Sequence, residues 1–340
     1  MIQILHPTAD RAAIAAFRRT HTYVDAWDSA LDELAALDRL DPGPTPVDPD
    51  HLDLVSRYVV FDWRRTMVRL PDADTFYRLK TARNRYLITD DEQQRWSRAV
   101  VAVAGLSVGA SVLHACALTG ARNLRITDLD TLGPTNLNRL AGSVCDLGVP
   151  KTTLAVRRLL EADPYTRIHA FHAGFSADIA DDFLGGATTP AADIVLEEVD
   201  DLAMKVEIRR HARTRGIPVV MVTDDGDNVI VDVERHDLDP DHPLFHGRAG
   251  DLTDLDVAAL RRPADRVRLA GQIVGDDVSP RMLTALGQVG TTIPSWPQLG
   301  TAATLAGAVG AVTARRIVCG DDVPSGRWRV RIDDVGTGSR

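Results

Sequence analysis

The run Ala99-Val-Val-Ala-Val-Ala104, followed at once by Gly105-Leu-Ser-Val-Gly109, constrains this chain more than any other stretch. Small apolar residues without polar alternation read as a strand covered on both faces, the pattern of a parallel sheet. The glycines that follow make a turn, and Ala110 to Thr119 reads as a helix closed by Gly120. Leu124 to Asp128 reads as a second strand, with further strands at Ile168–Phe171, Ile194–Leu196, Val219–Thr223 and Val229–Val233. Helical stretches at 152–162 and 202–215 separate them. Strands alternating with helices predict an α/β core over 98–235, a doubly wound Rossmann-like sheet.

The flanks carry weaker signals. Residues 8–40 read as two helices, one with an apolar stripe of Trp27, Ala30, Leu31, Leu34 and Leu37. Asp41 to Pro49 holds four prolines and predicts a turn or linker. A strand is expected at Tyr58–Trp63 and helix over 72–97. Residues 299–318 predict a helix of small residues suited to close packing on the core or on a second subunit, before a last strand at Trp328–Ile332. The division expected is a helical N-terminal extension at 1–80, acting on substrate or dimer, a nucleotide-binding domain at 81–247, and a C-terminal α/β extension at 248–340.

Composition narrows the classes. Three cysteines without a CxxC pair argue against a disulfide framework and against zinc. A formal charge of -9 argues against nucleic acid as partner. The start lacks a basic stretch followed by an apolar run. The most apolar segment, Leu299–Val312, falls short of the ~20 residues a bilayer requires. A soluble cytoplasmic protein without membrane contact is the expectation.

Gly105 to Gly109 admits incompatible readings. Glycines at a helix start let a phosphate approach backbone N–H groups, although the spacing is one residue short of G-x-G-x-x-G and Ser107 replaces the second glycine. The same residues spell G-x-S-x-G, a nucleophile elbow that would need Asp200 with His211 or His246. A plain strand–helix turn is the third reading. The sequence beyond decides between them. Asp128-Leu-Asp130 ends a strand where a carboxylate can accept from ribose hydroxyls. Asn136-Leu-Asn-Arg139 and Gly148-Val-Pro-Lys151 follow, and Leu196-Glu-Glu-Val-Asp-Asp201 closes another strand in carboxylates suited to Mg²⁺. Only Lys80, Lys151 and Lys205 are lysines among 39 basic residues, which singles out Lys151. An ATP site uses every member of this ordered set.

The order of these motifs resembles the ThiF/MoeB and ubiquitin-activating-enzyme superfamily from about Arg83 to Gly247. Arg83-Asn-Arg85, Thr135-Asn-Leu-Asn-Arg139, Glu197-Glu-Val-Asp-Asp201 and Val233-Glu-Arg-His-Asp-Leu-Asp-Pro240 resemble, more narrowly, a bacterial ThiF-type subgroup of poorly defined function. The resemblance implies an adenylyltransferase that activates a carboxylate of a peptide, small-protein C-terminus or small acid, with pyrophosphate leaving. It implies ATP and Mg²⁺, with Asp128 on the ribose, Arg139 and Lys151 on the phosphates, Asn136 on triphosphate or ribose, and Asp200 on the metal. Gly105, Ser107, Gly109 and Asp130 would complete the nucleotide site. Arg85 would reach the nucleotide of a neighbouring subunit, making the active unit a homodimer. Relatives usually have asparagine where Asp201 stands. No cysteine lies between Asp146 and Val318, so no enzyme-bound thioester is expected. The alternatives are a serine hydrolase using Ser107 and a nucleotide-binding module without turnover.

Overall fold

The computed structural model describes residues 2–40, 54–252, 260, 263–275 and 278–335. The proline-rich segment 41–49 lies outside the described residues. Contacts divide the chain into two compact units, Met1–Gln93 with Leu159–Thr166, and Gln94–Arg158 with Arg167–Arg340.

The first unit is mixed α/β rather than helical. It contains β1 (Ile2–Leu5), α1 (Arg11–Thr20), β2 (Thr22–Asp25), α2 (Trp27–Leu40), β3 (Ser56–Phe61), β4 (Thr66–Pro71) and α3 (Ala73–Thr81). The strands form a sheet in the order β1-β3-β4-β2, with β2 parallel to β4 and the other pairs antiparallel. Val59, Val60 and Met67 are fully buried in it. The sequence reading found only β3, because strands of four residues hold too few alternations to stand out against adjacent helical periodicity. The stretch 72–97 is likewise not one helix. It breaks at Arg85 and Tyr86, where Tyr86 takes φ +66°, before α4 (Asp90–Arg98).

The second unit is built on β5 (Val100–Ala104), α5 (Val108–Leu118), β6 (Asn123–Thr127), α6 (Lys151–Ala162), β7 (Arg167–Phe171), α7 (Ala180–Leu184), β8 (Ile194–Glu197), α8 (Leu202–Thr214), β9 (Val219–Asp225) and β10 (Asn228–Glu234). It continues through α9 (Pro263–Val274), α10 (Pro280–Leu286), α11 (Gly300–Cys319) and β11 (Gly326–Val330). The sheet order is β11-β10-β9-β8-β5-β6-β7. The five strands from β7 to β9 are parallel, and β10 and β11 add antiparallel strands at one edge. This is the doubly wound, Rossmann-like α/β fold. β11, in the C-terminal segment, pairs with β10 and extends that sheet.

α11 is 20 residues long, so length alone does not exclude a membrane span as the shorter apolar run had suggested. Its packing makes it a core helix: nine of its residues are buried, and it lies against α5, β9 and β10. The glycines explain the closeness. A Cβ on Gly307 would sit 2.9 Å from Ser111, and one on Gly310 would sit 2.9 Å from Val112.

A buried charge network braces the other face. Fully buried Arg209 donates from Nε to Glu234 Oε1 at 2.6 Å and from Nη1 to Glu197, and its guanidinium lies 4.0 Å from the Phe245 ring centroid. Glu197 also accepts from Lys205 Nζ at 3.0 Å and, through Oε1, from the Val199 N–H at 2.9 Å. The network therefore fixes the backbone that leads into Asp200.

Candidate functional site

In a doubly wound sheet a ligand sits at the C-terminal strand ends where the winding reverses. Here that point lies between β5 and β8, since β5 is continued towards β6 on one side and β8 towards β9 on the other. The Gly105–Gly109 turn leaves β5 at this place. Gly105 has φ +88°, and a Cβ there would meet the Glu198 carbonyl oxygen at 2.4 Å, so no other residue fits.

Asp128, just after β6, buttresses this turn. Its Oδ2 accepts from the Leu106 N–H at 2.6 Å and its Oδ1 from the Asp130 N–H at 2.7 Å. Burial pushes its carboxyl above the usual range, against the pull of Lys151 and those two N–H donors. Lys151 opens α6 and is only 6% exposed. Its Nζ donates to Asp130 Oδ2 at 2.8 Å and lies 3.9 Å from Asp128 Oδ1. Two carboxylates thus hold an ammonium at the positive end of a helix, where a cation is otherwise disfavoured. Asp130 is the residue that fixes Lys151.

Arg139 is fixed as firmly. Its Nε donates to Ser107 Oγ at 2.8 Å, and its Nη1 to the Thr135 carbonyl and to Asn138 Oδ1, each at 3.1 Å. Burial lowers its pKa, while the charges of Asp200 and Asp224 raise it. Asn136 shapes the turn beneath, its Oδ1 accepting from the Gly133 N–H at 2.8 Å.

The acidic strand end separates into distinct tasks. Glu197 belongs to the charge network. Glu198 is buried, accepts from the Val222 N–H at 2.9 Å, and is pushed well above the ordinary carboxylate range by burial. Asp201 caps α8, its Oδ1 accepting from the Met204 N–H at 2.8 Å. Asparagine and aspartate cap equally well, so the departure from the asparagine of relatives is a local exchange. Asp200 is exposed and, among the described residues, is left without a hydrogen bond or ion pair.

The hydrolase reading does not survive the geometry. Ser107 Oγ accepts from an arginine, which cannot take up its proton. His211 is engaged with Arg215 and lies 3.8 Å from Glu207, and His246 pairs with His242 at 3.0 Å and lies 3.1 Å from Asp232. Asp239, Asp241 and His242 form no metal cluster with His246, and no group of three or more metal-ligating side chains converges among the described residues. Arg85 belongs to the first unit, where it pairs with Asp90 at 3.4 Å. Cys145 is exposed, whereas Cys116 and Cys319 are buried, and burial pushes the Cys116 thiol up to about 12.

The sequence reading missed Asp224 as a member of this site, beside which lies Gln298. Asp224 stands near the end of β9, next to the strand that leads to Asp200, and is 2% exposed. Burial raises its pKa to about 7. Gln298 and Arg139 oppose that shift, and Asp200 adds to it. Neither Asp224 oxygen receives a donor with hydrogen-bond geometry. The available signal was the pair Asp224-Asp225 closing a predicted strand beside the winding reversal. Beyond Arg139 and Gln298 opens a cavity of about 830 Å³, lined also by Asn138, Met282, Ile293 and Trp296.

Residues 81–231 match the ThiF family. This region is a ThiF-family domain. Over 316 residues the chain is 36% identical to the uncharacterized protein MT1398 of Mycobacterium tuberculosis (strain CDC 1551 / Oshkosh), covering 92% of this chain and 43% of that protein. The chain therefore spans less than half the length of that relative. Among solved structures, PaaA superposes with a TM-score of 0.51 at 16% identity, covering 76% of this chain and 68% of PaaA. Escherichia coli MccB, in a structure with ATP, gives 0.50 at 14% identity, covering 76% and 67%. These likenesses establish that the ThiF domain has the fold of those proteins.

Proposed function

We propose that the ThiF domain binds ATP at the β5 and β8 tips and transfers AMP to a carboxylate. A carboxylate oxygen of the substrate attacks the α-phosphorus, the bond from that phosphorus to the bridging oxygen breaks, and pyrophosphate leaves. Such a reaction depends mainly on cations placed beforehand around the phosphates. The observation that carries the reading is the convergence of Lys151 and Arg139, each already held by neighbouring side chains, on the single turn Gly105–Gly109.

The roles follow from the contacts. The Gly105–Gly109 turn and the start of α5 offer N–H groups to phosphate. Asp128 fixes that turn and lies where a ribose is held in this class of fold. Ser107 aims Arg139, and Asp130 aims Lys151. Asp200 suits Mg²⁺, which characteristically takes one or two carboxylates along with phosphate oxygens and water. When bound, that ion would neutralise charge on the phosphates. The cavity beyond Arg139 would receive the carboxylate substrate, a peptide, a small-protein C-terminus or a small acid. The acyl adenylate would pass to an external nucleophile, with no thioester on the enzyme. Arg85 would act from the second subunit of a homodimer, in the cytoplasm.

Mg²⁺-dependent ATP binding, measured by titration calorimetry, tests this reading. Lys151→Ala and Asp200→Ala in folded protein should each weaken it at least tenfold. Undiminished binding in both variants refutes the assigned site.

A further inference from the structure

Asp224 is a buried carboxylate at this site whose presence the fold does not account for. Both of its oxygens are buried and no donor meets either with hydrogen-bond geometry, so Gln298 and the Arg139 charge offset its desolvation only in part. Arg139 acts on it through charge, with no hydrogen bond or ion pair between the two among the described residues.

The pairing of β8 with β9 brings the end of β9, with Asp224, towards the segment that carries Asp200. β8 and β9 run parallel, with Leu196 opposite Val220. The Val222 N–H, two positions further along β9, donates to side-chain Oε1 of Glu198, the residue that follows β8. Asp224 lies two positions beyond Val222 on β9, and Asp200 two beyond Glu198 in the turn between β8 and α8. Their charges act on one another and on the same Arg139 guanidinium. Asp224 shares a strand face with Val222, the face that packs on Gly310 of α11, and Gln298 immediately precedes that helix.

We infer that Asp224 is a second protein ligand, with Asp200, for the divalent cation that accompanies the nucleotide. The inference rests on the nucleotide-site reading above and extends it to a residue that no motif identified. Two carboxylates from adjacent strand ends, completed by phosphate oxygens and water, form a set that Mg²⁺ accepts. Gln298, now beside Asp224, would give way to the cation.

The test uses Mn²⁺ as the probe, with free Mn²⁺ counted by its electron paramagnetic resonance signal, in the presence of the non-hydrolysable analogue AMP-CPP. Asp224→Asn should raise the Mn²⁺ Kd at least tenfold. Asp224→Ser provides the same readout should the asparagine variant fold poorly. If Asp200→Asn weakens Mn²⁺ binding and both Asp224 variants do not, the inference is overturned and the nucleotide site stands. If Mn²⁺ binding is unchanged in the Asp200 and Asp224 variants alike, the metal assignment in the nucleotide-site reading falls with it.

Discussion

Replacing Arg209 with methionine removes the cation at the centre of the buried network and leaves Glu197 and Glu234 without it. The two carboxylates are fully buried, and breaking one partner out of such a pair costs about 3–5 kcal/mol. An independent route gives a similar size. The Arg209 charge, with help from His236, holds the Glu234 carboxyl at about 2 against an ordinary 4.5 in spite of burial. At ~1.4 kcal/mol per pKa unit, that depression corresponds to about 3 kcal/mol of stability. The sign follows from proton counting. Between pH 2 and 4.5 the unfolded chain binds more protons, so the contribution is complete above pH 4.5 and declines as acid approaches the folded value. Urea unfolding should therefore show Arg209→Met destabilised by about 3–5 kcal/mol at pH 7, with the gap narrowing by about 1–2 kcal/mol at pH 3.5. Because Glu197 also holds the Val199 N–H, ATP affinity should fall as well, although Arg209 is not among the nucleotide residues. A loss below 1 kcal/mol, or one independent of pH, would refute the electrostatic account.

Other outcomes follow from single contacts. Gly307→Val forces a side chain against Ser111 at the α5–α11 contact and should cost about 1–3 kcal/mol or more in unfolding experiments. Asp201→Asn should change stability by less than about 0.5 kcal/mol and leave Mg²⁺ dependence intact, whereas Asp201→Ala should lose about 1 kcal/mol, because a helix cap and not a metal ligand is removed. Ser107→Ala should weaken ATP binding about threefold to tenfold by releasing Arg139, the loss of one hydrogen bond to a charged group. Wild-type protein should remain unlabelled by a fluorophosphonate, since Ser107 has no base.

The parallel strands, the Gly105 turn and the order Asp128, Arg139, Lys151, Asp200 are legible in the sequence for a local reason. All but Arg139, which sits in the turn after Asn136, are residue types placed near the end of a strand or the start of a helix, and strand ends at a winding reversal converge whatever lies between them. The four-residue strands of the first unit are not legible, because so short a span carries almost no periodicity. Nor does sequence say which of Glu197, Glu198, Asp200 and Asp201 is available. That depends on Arg209, Val222 and Met204, and for the first two on elements that meet only when β9 and α8 close on β8. Asp224 belongs to the same class. Its significance lies in the approach of the end of β9 to the turn that carries Asp200, and in the burial of oxygens that no donor meets with hydrogen-bond geometry. Local composition fixed which chemistry was at hand, while the pairing of distant segments decided which carboxylates remain free to perform it, because desolvation and partner distance exist only in the folded chain.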